Sequence, residues 1–556
     1  MSLDKKYDAI VVGGGHNGLV AATYLAKAGK KVVLLEAEKE LGGATTSVKP
    51  FPEFEARLSR YSYLVSLLPD QIVSDLGINF KTLERSIASY TPYSKAGQDG
   101  GLLISQNWDD RTAQNFRDVT GSDAEGETWQ KFYGEIAVLA ERIAPSMLQP
   151  LKSAKQLSDE IGLSDTWKYL MERPIGEVIR ERFSDDIVRG VVLTDALIGT
   201  FSSSDDLQAN RCFLYHLIGN GTGQWRVPQG GMGALVLELK RVASAAGVEI
   251  LLNSRVANID SDAAGVSVMT EDDEKFSAQN LLFAGAPQTL AKIRGIAAPT
   301  SLDGSQMKMN MLLTKLPRLK SGVDPRLAFA GTFHVNESFS QLETAYRSAS
   351  AGSIPKDLPL EMYCHTLTDP TILSPELAAL GYQTLTLFGL HTPAALFDKS
   401  PEAAKQVAKQ AAISSLNQYL LDPIESVLAI CQDGSLAIET KSPLDLEADI
   451  GLPRGNIFHR DLDFPFIDSA AGPAQKWGSE TDQPHIFLAG AGARRGGGGG
   501  GGAVRWASPP CPGRRRSNRS AIRARRGARR RPAPSCRCAR SSGASCRRCR
   551  AASISV

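Results

Sequence analysis

The chain of 556 residues is 42% hydrophobic and 7% aromatic, which is typical of a globular protein with room for two or three domains. Its net charge of +3 conceals a division, because 18 of the 63 basic residues follow the last acidic residue, Asp482, and the body before it is acidic. The cysteines of that body are few and scattered and no apolar run is long enough to span a bilayer, which argues against a disulfide-stabilised secreted scaffold and against an integral membrane protein.

The first forty residues carry the clearest motif. Residues 7–12, YDAIVV, predict a buried strand that runs directly into GGGHNG at residues 13–18 and then into a helical pattern. The spacing is typical of dinucleotide binding, since Gly13 makes the tight turn, Gly15 admits a pyrophosphate and Gly18 lets the helix approach the sheet. A second strand ends on Glu36, where a carboxylate can hold ribose hydroxyls. Because the first strand begins so early, the sequence predicts no signal peptide and a cytoplasmic location.

A glycine pair, Gly42-Gly43, follows this unit in the segment VVLLEAEKELGGATT. A nicotinamide enzyme needs no glycine here, whereas a flavoenzyme lays FAD past this loop, where side chains would obstruct it. An ordinary glycine turn is the alternative. The pair predicts FAD as the dinucleotide.

The middle of the chain changes character twice. Residues 91–224 predict helices, with amphipathic patterns that suit a cap over an apolar cleft. Residues 225–300 return to α/β character, and residues 301–440 predict antiparallel strands with helices on one side. The body has neither a second glycine motif after a strand nor a redox CxxC, which argues against a two-dinucleotide disulfide reductase.

From residue 496 the chain consists almost entirely of Gly, Arg, Ala, Ser, Pro and Cys, without a hydrophobic period. It could be a disordered basic arm, a metal site at Cys546 and Cys549, or the product of a shifted reading frame. A zinc site needs a second ligand pair and a nucleic-acid arm usually mixes Lys with Arg, whereas GC-rich codons encode all these residue types. The sequence favours the shifted frame for residues 499–556, with no metal and no specific nucleic-acid binding.

Four segments together resemble one family: GGGHNGLVAATYLAKAGKKVVLLEAEKELGGA, SRYSYLVSLLPDQIVSDLGI, VPQGGMGALVLEL and GLPRGNIFHRDLDFPF. They are similar to the phytoene dehydrogenase-related FAD-dependent oxidoreductases, of the amine oxidase and phytoene desaturase superfamily, and His16-Asn17 is more typical of this branch than of amine oxidases. The resemblance implies an α/β fold. A Rossmann-like FAD-binding domain (1–90, 225–300 and 441–498) would carry an inserted mixed sheet (301–440) and a helical cap (91–224).

The resemblance also implies an activity, namely the dehydrogenation or oxidation of a hydrophobic, isoprenoid- or carotenoid-like molecule by hydride transfer to FAD. A flavin amine oxidase and a flavin-fold regulatory or inactive protein are the alternatives. A lipophilic substrate is compatible with peripheral association with a membrane. The implied cofactor-binding residues are Gly13, Gly15, His16, Asn17, Gly18, Glu36, Gly42, Gly43, Val256, Gly490 and Gly492.

In this family a helix that approaches the flavin follows the strand and turn corresponding to residues 486–492. In this chain the glycine run replaces that helix, so the sequence predicts loss of one flavin contact and leaves the activity of this chain open.

Catalytic residues are less well defined by the sequence. Lys308 stands about where amine oxidase relatives carry a lysine near the flavin, although a solvent-facing lysine is the commoner meaning of such a residue. Among the isolated histidines, His365 and His391 fall in apolar strands predicted for the inserted sheet and are the stronger candidates, with a structural hydrogen-bonding role as the alternative.

Overall fold

The computed structural model describes residues 5–467 and 477–494. The expectations for a helix after Gly492 and for residues 499–556 therefore lie outside the described residues.

The strands are β1 Lys5–Val12, β2 Val32–Leu35, β3 Ser47–Val48, β4 Leu58–Ser59, β5 Thr82–Leu83, β6 Ile87–Lys95, β7 Gln98–Ser105, β8 Val227–Pro228, β9 Glu249–Leu251, β10 Val256–Ser261, β11 Val266–Thr270, β12 Lys275–Phe283, β13 Met307–Leu313, β14 Thr332–Val335, β15 Leu360–Tyr363, β16 Gln383–Gly389, β17 Ile438–Lys441 and β18 Ile486–Leu488. The α-helices are α1 His16–Lys27, α2 Asp70–Leu76, α3 Asp110–Thr120, α4 Ala124–Ile143, α5 Ala154–Ile161, α6 Ser164–Trp167, α7 Ile175–Arg182, α8 Asp186–Thr194, α9 Leu207–Ile218, α10 Met232–Ala245, α11 Pro287–Ile293, α12 Pro325–Ala328, α13 Phe339–Ser350, α14 Pro375–Ala379, α15 Pro401–Asn417 and α16 Pro443–Ile450.

The first sheet, as far as the chain is described, has seven strands in the order β10-β11-β12-β1-β2-β9, with β18 also beside β12. β1 runs parallel to β12 on one side and to β2 on the other. β12 is long enough to pair its first half with antiparallel β11 and its last three residues with parallel β18. The sheet thus draws its strands from residues 5–35, 249–283 and 486–488, and the mixed α/β class expected from the sequence is confirmed.

Strand β1, at the centre of the first sheet, is apolar throughout its second half because both faces of this sheet are covered. Val11 packs with helices α1 and α10 on one face, in a cluster that includes Leu19 and Leu239. Ile10 packs on the opposite face with Leu290 of α11. Two-sided burial is the reason that this strand lacks an alternating polar pattern.

The second sheet has the order β17-β13-β16-β15-β14-β6-β7 within the described chain. The strands expected within residues 301–440 include β13 and β16, which pair antiparallel, and α15 packs on this sheet. The helices expected from residue 91 begin only at Asp110, because β6 and β7 occupy residues 87–105. A two-residue loop joins these strands, with positive φ at both Ala96 (51°) and Gly97 (79°), a geometry that matches the twist of a hairpin.

Helices α3 to α9 form a layer around an aromatic core that contains Trp129, Phe132 and Phe213 and also includes Leu102 and Ile104 of β7. None of the helices in the described ranges combines the length and the apolar character that crossing a membrane requires.

Candidate cofactor and substrate site

Four parallel strands end at the same edge of the first sheet, where open α/β sheets bind their ligands. β1 leads there into Gly13, β2 into Glu36, β12 into Ala284 and β18 into Gly490. A Cβ on Gly490 would lie 2.3 Å from the Ala284 carbonyl oxygen, and one on Gly13 would lie 3.4 Å from the Ala284 Cβ. The N-terminal glycine loop and the C-terminal turn therefore meet on either side of Ala284.

The three motif glycines have three different surroundings. Gly13 has φ of +102°, which favours glycine, and a Cβ on Gly18 would lie 2.0 Å from the Gly13 carbonyl oxygen. A Cβ on Gly15 would instead enter open space, with only the Gly42 carbonyl oxygen as near as 4.0 Å. Helix α1 begins next to this space, and no side chain of the described residues caps it. A side-chain-free hollow at a helix N-terminus fits a pyrophosphate group.

Gly14 has a role that the sequence analysis missed, although the run of three glycines was the available signal. A Cβ there would lie 2.4 Å from Leu41 Cδ2 and 2.9 Å from Glu36 Oε2. The Gly14 N–H donates to Glu36 Oε2 at 2.6 Å, and the Glu38 N–H donates to Glu36 Oε1 at 2.9 Å. The buried Glu36 carboxylate is thereby fixed against the loop, at the place expected for a ribose.

The glycine pair lies directly against this loop. Gly42 (φ +119°) donates its N–H to the Gly14 carbonyl at 3.0 Å, and a Cβ on Gly43 would lie 3.7 Å from the Gly15 Cα. The ring of His16 shares a hydrogen bond of 3.1 Å with Thr45, just after the pair. Burial lowers the pKa of His16 to about 4, so the ring is neutral at pH 7.

The remaining positions assigned to the cofactor are Val256 and Gly492. Val256 is buried at the start of β10, and two residues earlier Ser254 donates its N–H to the Glu36 carbonyl at 2.8 Å. At the other end, a Cβ on Gly492 would lie 2.3 Å from Pro287 Cδ and 3.4 Å from the Nδ1 of His459. The contacts of Val256 with adenine and of Gly492 with flavin stay predictions.

Lys308 is buried, so the expectation of a solvent-facing lysine is wrong. The strand β13 is covered on both faces, and the side chain of Lys308 donates to the carbonyls of Ser59 and, at 2.7 Å, Arg60. Burial lowers the pKa of Lys308 to about 7. The held segment reaches the glycine pair, since Ser62 donates its N–H to the Ala44 carbonyl at 2.9 Å. Lys308 therefore fixes residues 59–60 of the segment that lies between the cofactor loop and the second sheet.

The two candidate histidines follow their strands rather than lying within them. His365 opens a 3₁₀ turn after β15 and stacks on Tyr363, with ring centroids 5.9 Å apart. His391 follows β16 with φ of +53° and packs edge-on against Phe201 and Tyr346. Burial lowers the pKa of each ring to about 3. Both rings are neutral at pH 7, and His365 borders a cavity.

Two small cavities, of about 10 and 20 Å³, are both lined by Tyr63, which follows directly on Ser62. The first is lined by apolar residues and by the polar or charged residues Arg57, Ser59, Tyr63, His365, Asp369, Thr384 and Thr386. The second is lined by Arg85, Thr194, Asp195, His216, Trp225, Thr332, His334, Glu361 and Tyr363. The second cavity is far more polar than a purely lipophilic substrate requires. Its charged residues gave no motif, because they are distant in sequence.

Known proteins resemble this chain along most of its length. Residues 11–69 match the family described as NAD(P)-binding Rossmann-like domain, and residues 98–301 match the family described as flavin containing amine oxidoreductase. An uncharacterized protein of Mycobacterium tuberculosis is 42% identical over 510 residues, which covers 88% of this chain and 94% of the relative. Pyridine nucleotide-disulfide oxidoreductase domain-containing protein 2 of Mus musculus is 28% identical over 539 residues, covering 88% and 90%.

More distant similarity extends to a carotenoid enzyme and to a solved structure. The chloroplastic prolycopene isomerase of Daucus carota is 23% identical over 455 residues, covering 78% of this chain and 69% of the relative. An oxidoreductase from Methanosarcina mazei has a TM-score of 0.54 at 14% identity, over 90% of this chain and 98% of the other, and shares the fold. The glycine hollow and the fixed Glu36 fit FAD, which supplies the redox chemistry. This chain belongs to the phytoene dehydrogenase-related family of FAD-dependent oxidoreductases.

Proposed function

We propose that this protein is an FAD-dependent dehydrogenase that removes hydride from a carbon atom of a hydrophobic, isoprenoid-like substrate. The observation that carries the proposal is the short connection between cofactor loop and cavities. Ser62 contacts the residue after the glycine pair, and Tyr63 borders both cavities. A substrate that reaches Tyr63 would lie beside the cofactor-binding edge. The name of the carrot relative, prolycopene isomerase, supports an isoprenoid as the substrate class.

The aromatic residues beside Tyr63 supply an apolar wall for such a molecule. The Tyr63 ring centroid lies 4.4 Å from that of Tyr363 and 4.7 Å from that of Phe388. Burial raises the pKa of Tyr63 well above its usual value, so its hydroxyl stays protonated. These rings exclude water from the reacting carbon and orient the substrate, while Lys308 fixes the segment that carries Tyr63.

The same pair of tyrosines bears on the alternative of amine oxidation. An aromatic cage holds its amine between two ring faces, which must be separated. Here the rings of Tyr63 and Tyr363 touch, and their hydroxyl oxygens are 3.3 Å apart. This pair leaves no room for a ligand between its members and therefore does not form such a cage.

The test starts from the purified full chain and its visible spectrum. We expect a flavin absorbance that lipophilic polyenes bleach under anaerobic conditions. A folded, colourless protein that takes up no added FAD would contradict the proposal. Bleaching by amines but not by polyenes would assign amine oxidation instead.

A further inference from the structure

His16 stands in the glycine loop, but its side chain makes a contact that a dinucleotide motif does not require. It is the first residue of α1 and follows Gly15 directly. Its half-buried ring reaches Thr45, the last residue of the 3₁₀ turn Gly43–Thr45. Since a Cβ on Gly43 would lie 3.7 Å from the Gly15 Cα, this pair of side chains joins two loops beside the hollow at Gly15.

The hydrogen bonds of Thr45 decide which nitrogen of the His16 ring carries the proton. A threonine hydroxyl has a single proton to donate. Thr45 Oγ1 lies 2.7 Å from the Gly42 carbonyl oxygen and 3.1 Å from His16 Nδ1. The shorter distance is usual for an O–H···O bond and the longer one for N–H···O, so the hydroxyl donates to Gly42 and accepts from Nδ1. The neutral ring therefore leaves Nε2 without a proton.

Nε2 is the atom of this ring that remains for a ligand. Among the described residues it has no hydrogen-bond partner, and it keeps some contact with solvent. An unprotonated ring nitrogen accepts hydrogen bonds and donates none, and the same holds for the oxygens of a pyrophosphate at pH 7. Nε2 therefore does not pair with the phosphate group that the hollow at Gly15 admits. Its partner has to be a donor, such as a hydroxyl group.

The surroundings of Thr45 indicate which part of FAD passes this ring. On one side lies the hollow at Gly15, assigned to the pyrophosphate. On the other side Ala44, next to Thr45, accepts from the Ser62 N–H, and Ser62 precedes Tyr63, beside which the substrate is proposed to lie. The flavin ring has to reach the substrate. The portion of FAD between pyrophosphate and flavin ring is the ribityl chain, which carries uncharged hydroxyl groups.

We propose that Nε2 of His16 accepts a hydrogen bond from a ribityl hydroxyl of FAD, and that Thr45 holds the ring in the tautomer that allows it. The inference rests on the proposed function in one respect, since the direction of the flavin is taken from the position of Tyr63. His16 thus acts on the half of FAD that follows the phosphates. Its contribution is absent from a ligand that ends at the pyrophosphate.

Ligands that share the pyrophosphate but differ beyond it test this assignment. The flavin-free full chain is titrated with FAD, with ADP, and with FAD analogues that each lack one ribityl hydroxyl. We expect His16→Ala to weaken FAD binding roughly 2- to 10-fold and to change ADP binding less than about twofold. One analogue should bind the unaltered chain about 2- to 10-fold more weakly than FAD, whereas His16→Ala should bind this analogue and FAD equally.

Thr45→Val and Thr46→Val make the same chemical change at adjacent residues. Thr45→Val removes the acceptor of His16 Nδ1 and should weaken FAD binding about 2- to 10-fold, without a matching loss for ADP. Thr46→Val is the control, because Thr46 donates to the Leu41 carbonyl at 3.2 Å and not to His16, and it should change FAD binding less than about twofold. A parallel loss of FAD and ADP affinity in His16→Ala would overturn the proposal, since the ring would then act on the pyrophosphate.

The tautomer can also be observed directly, whatever the affinities of the variants. The chain has seven histidines, and ¹⁵N spectra of histidine-labelled protein distinguish protonated from unprotonated ring nitrogens at pH 7. The signals missing from His16→Gln identify this ring. We expect its Nε2 to be unprotonated, and its signal to shift on addition of FAD but not of ADP. A protonated Nε2, or a signal that FAD leaves unchanged, would contradict the assignment.

Failure here is distinguishable from failure of the proposed function. Dependence on one ribityl hydroxyl through His16, in a protein whose flavin no polyene bleaches, would support the hydrogen bond and contradict the dehydrogenase. Bleaching by polyenes with equal binding of every analogue would do the reverse. A folded chain that binds neither FAD nor ADP would contradict both.

Discussion

Gly15→Ala and Gly18→Ala add the same methyl group at two positions of the glycine loop, and the structure predicts opposite consequences. At Gly15 the backbone has φ −67° and ψ 172°, which alanine adopts without strain, and the new Cβ meets only the Gly42 carbonyl oxygen at 4.0 Å. The fold of the protein without flavin should therefore be kept, with stability unchanged or higher by about 0.4–1 kcal/mol.

The same methyl occupies the hollow assigned to the pyrophosphate. Loss of one hydrogen bond to a charged phosphate is worth about 1.5–3 kcal/mol, so the Kd of Gly15→Ala for FAD should rise roughly 10- to 100-fold. At Gly18 the added Cβ would lie 2.0 Å from the Gly13 carbonyl oxygen, and the loop or the helix must shift. Overpacking of this kind typically costs about 1–3 kcal/mol of unfolding free energy.

Two measurements on each variant separate these effects, namely denaturant unfolding of the flavin-free protein and titration with FAD followed by flavin fluorescence. Gly134→Ala is the control, because it lies within α4 with nothing within 4 Å of the added Cβ, and it should affect neither FAD binding nor the fold adversely. A Gly15→Ala protein that binds FAD within twofold of the unaltered chain would refute the pyrophosphate assignment. Unchanged stability of Gly18→Ala would refute the steric reasoning.

Three further outcomes follow from the site. Glu36→Ala leaves two N–H groups without the carboxylate that binds them, and it should weaken FAD binding at least about tenfold in the same titration. Glu38→Ala is the control, because Glu38 forms an exposed ion pair, and it should change FAD binding less than about twofold. Lys308→Met should remove a pH dependence of stability. The pKa of Lys308 is about 7 in the folded protein and 10.5 in the unfolded chain, so between these values the unfolded chain holds one more proton. The unfolding free energy of the unaltered protein should therefore rise with pH by up to about 1.4 kcal/mol per pH unit relative to the variant, which urea unfolding at pH 7 and 9 measures. His16→Ala should raise the Kd for FAD roughly 2- to 10-fold by the loss of the Thr45 hydrogen bond, equally at pH 6 and 8, because the ring is neutral at both.

The cofactor half of the site could be predicted because its requirements are local in sequence. The turn at Gly13, the open side at Gly15 and the close approach at Gly18 depend on backbone geometry within six residues of one another. The failures have equally physical causes. The hairpin at Ala96-Gly97 was missed because its turn chemistry was read as part of a helical region, although positive φ at both residues identifies it. The burial of Lys308 depends on a distant segment that covers its strand.

The substrate half could not be predicted by local reasoning. Arg85, Asp195 and Glu361 reach one cavity from three segments separated by more than a hundred residues, and none of them belongs to a motif. Family resemblance alone predicts a lipophilic substrate, and the aromatic wall at Tyr63 agrees with that. The grouping of Arg85 and Glu361 depends on strand pairing, since β14 pairs on one side with β15, which carries Glu361, and on the other with β6, which Arg85 precedes.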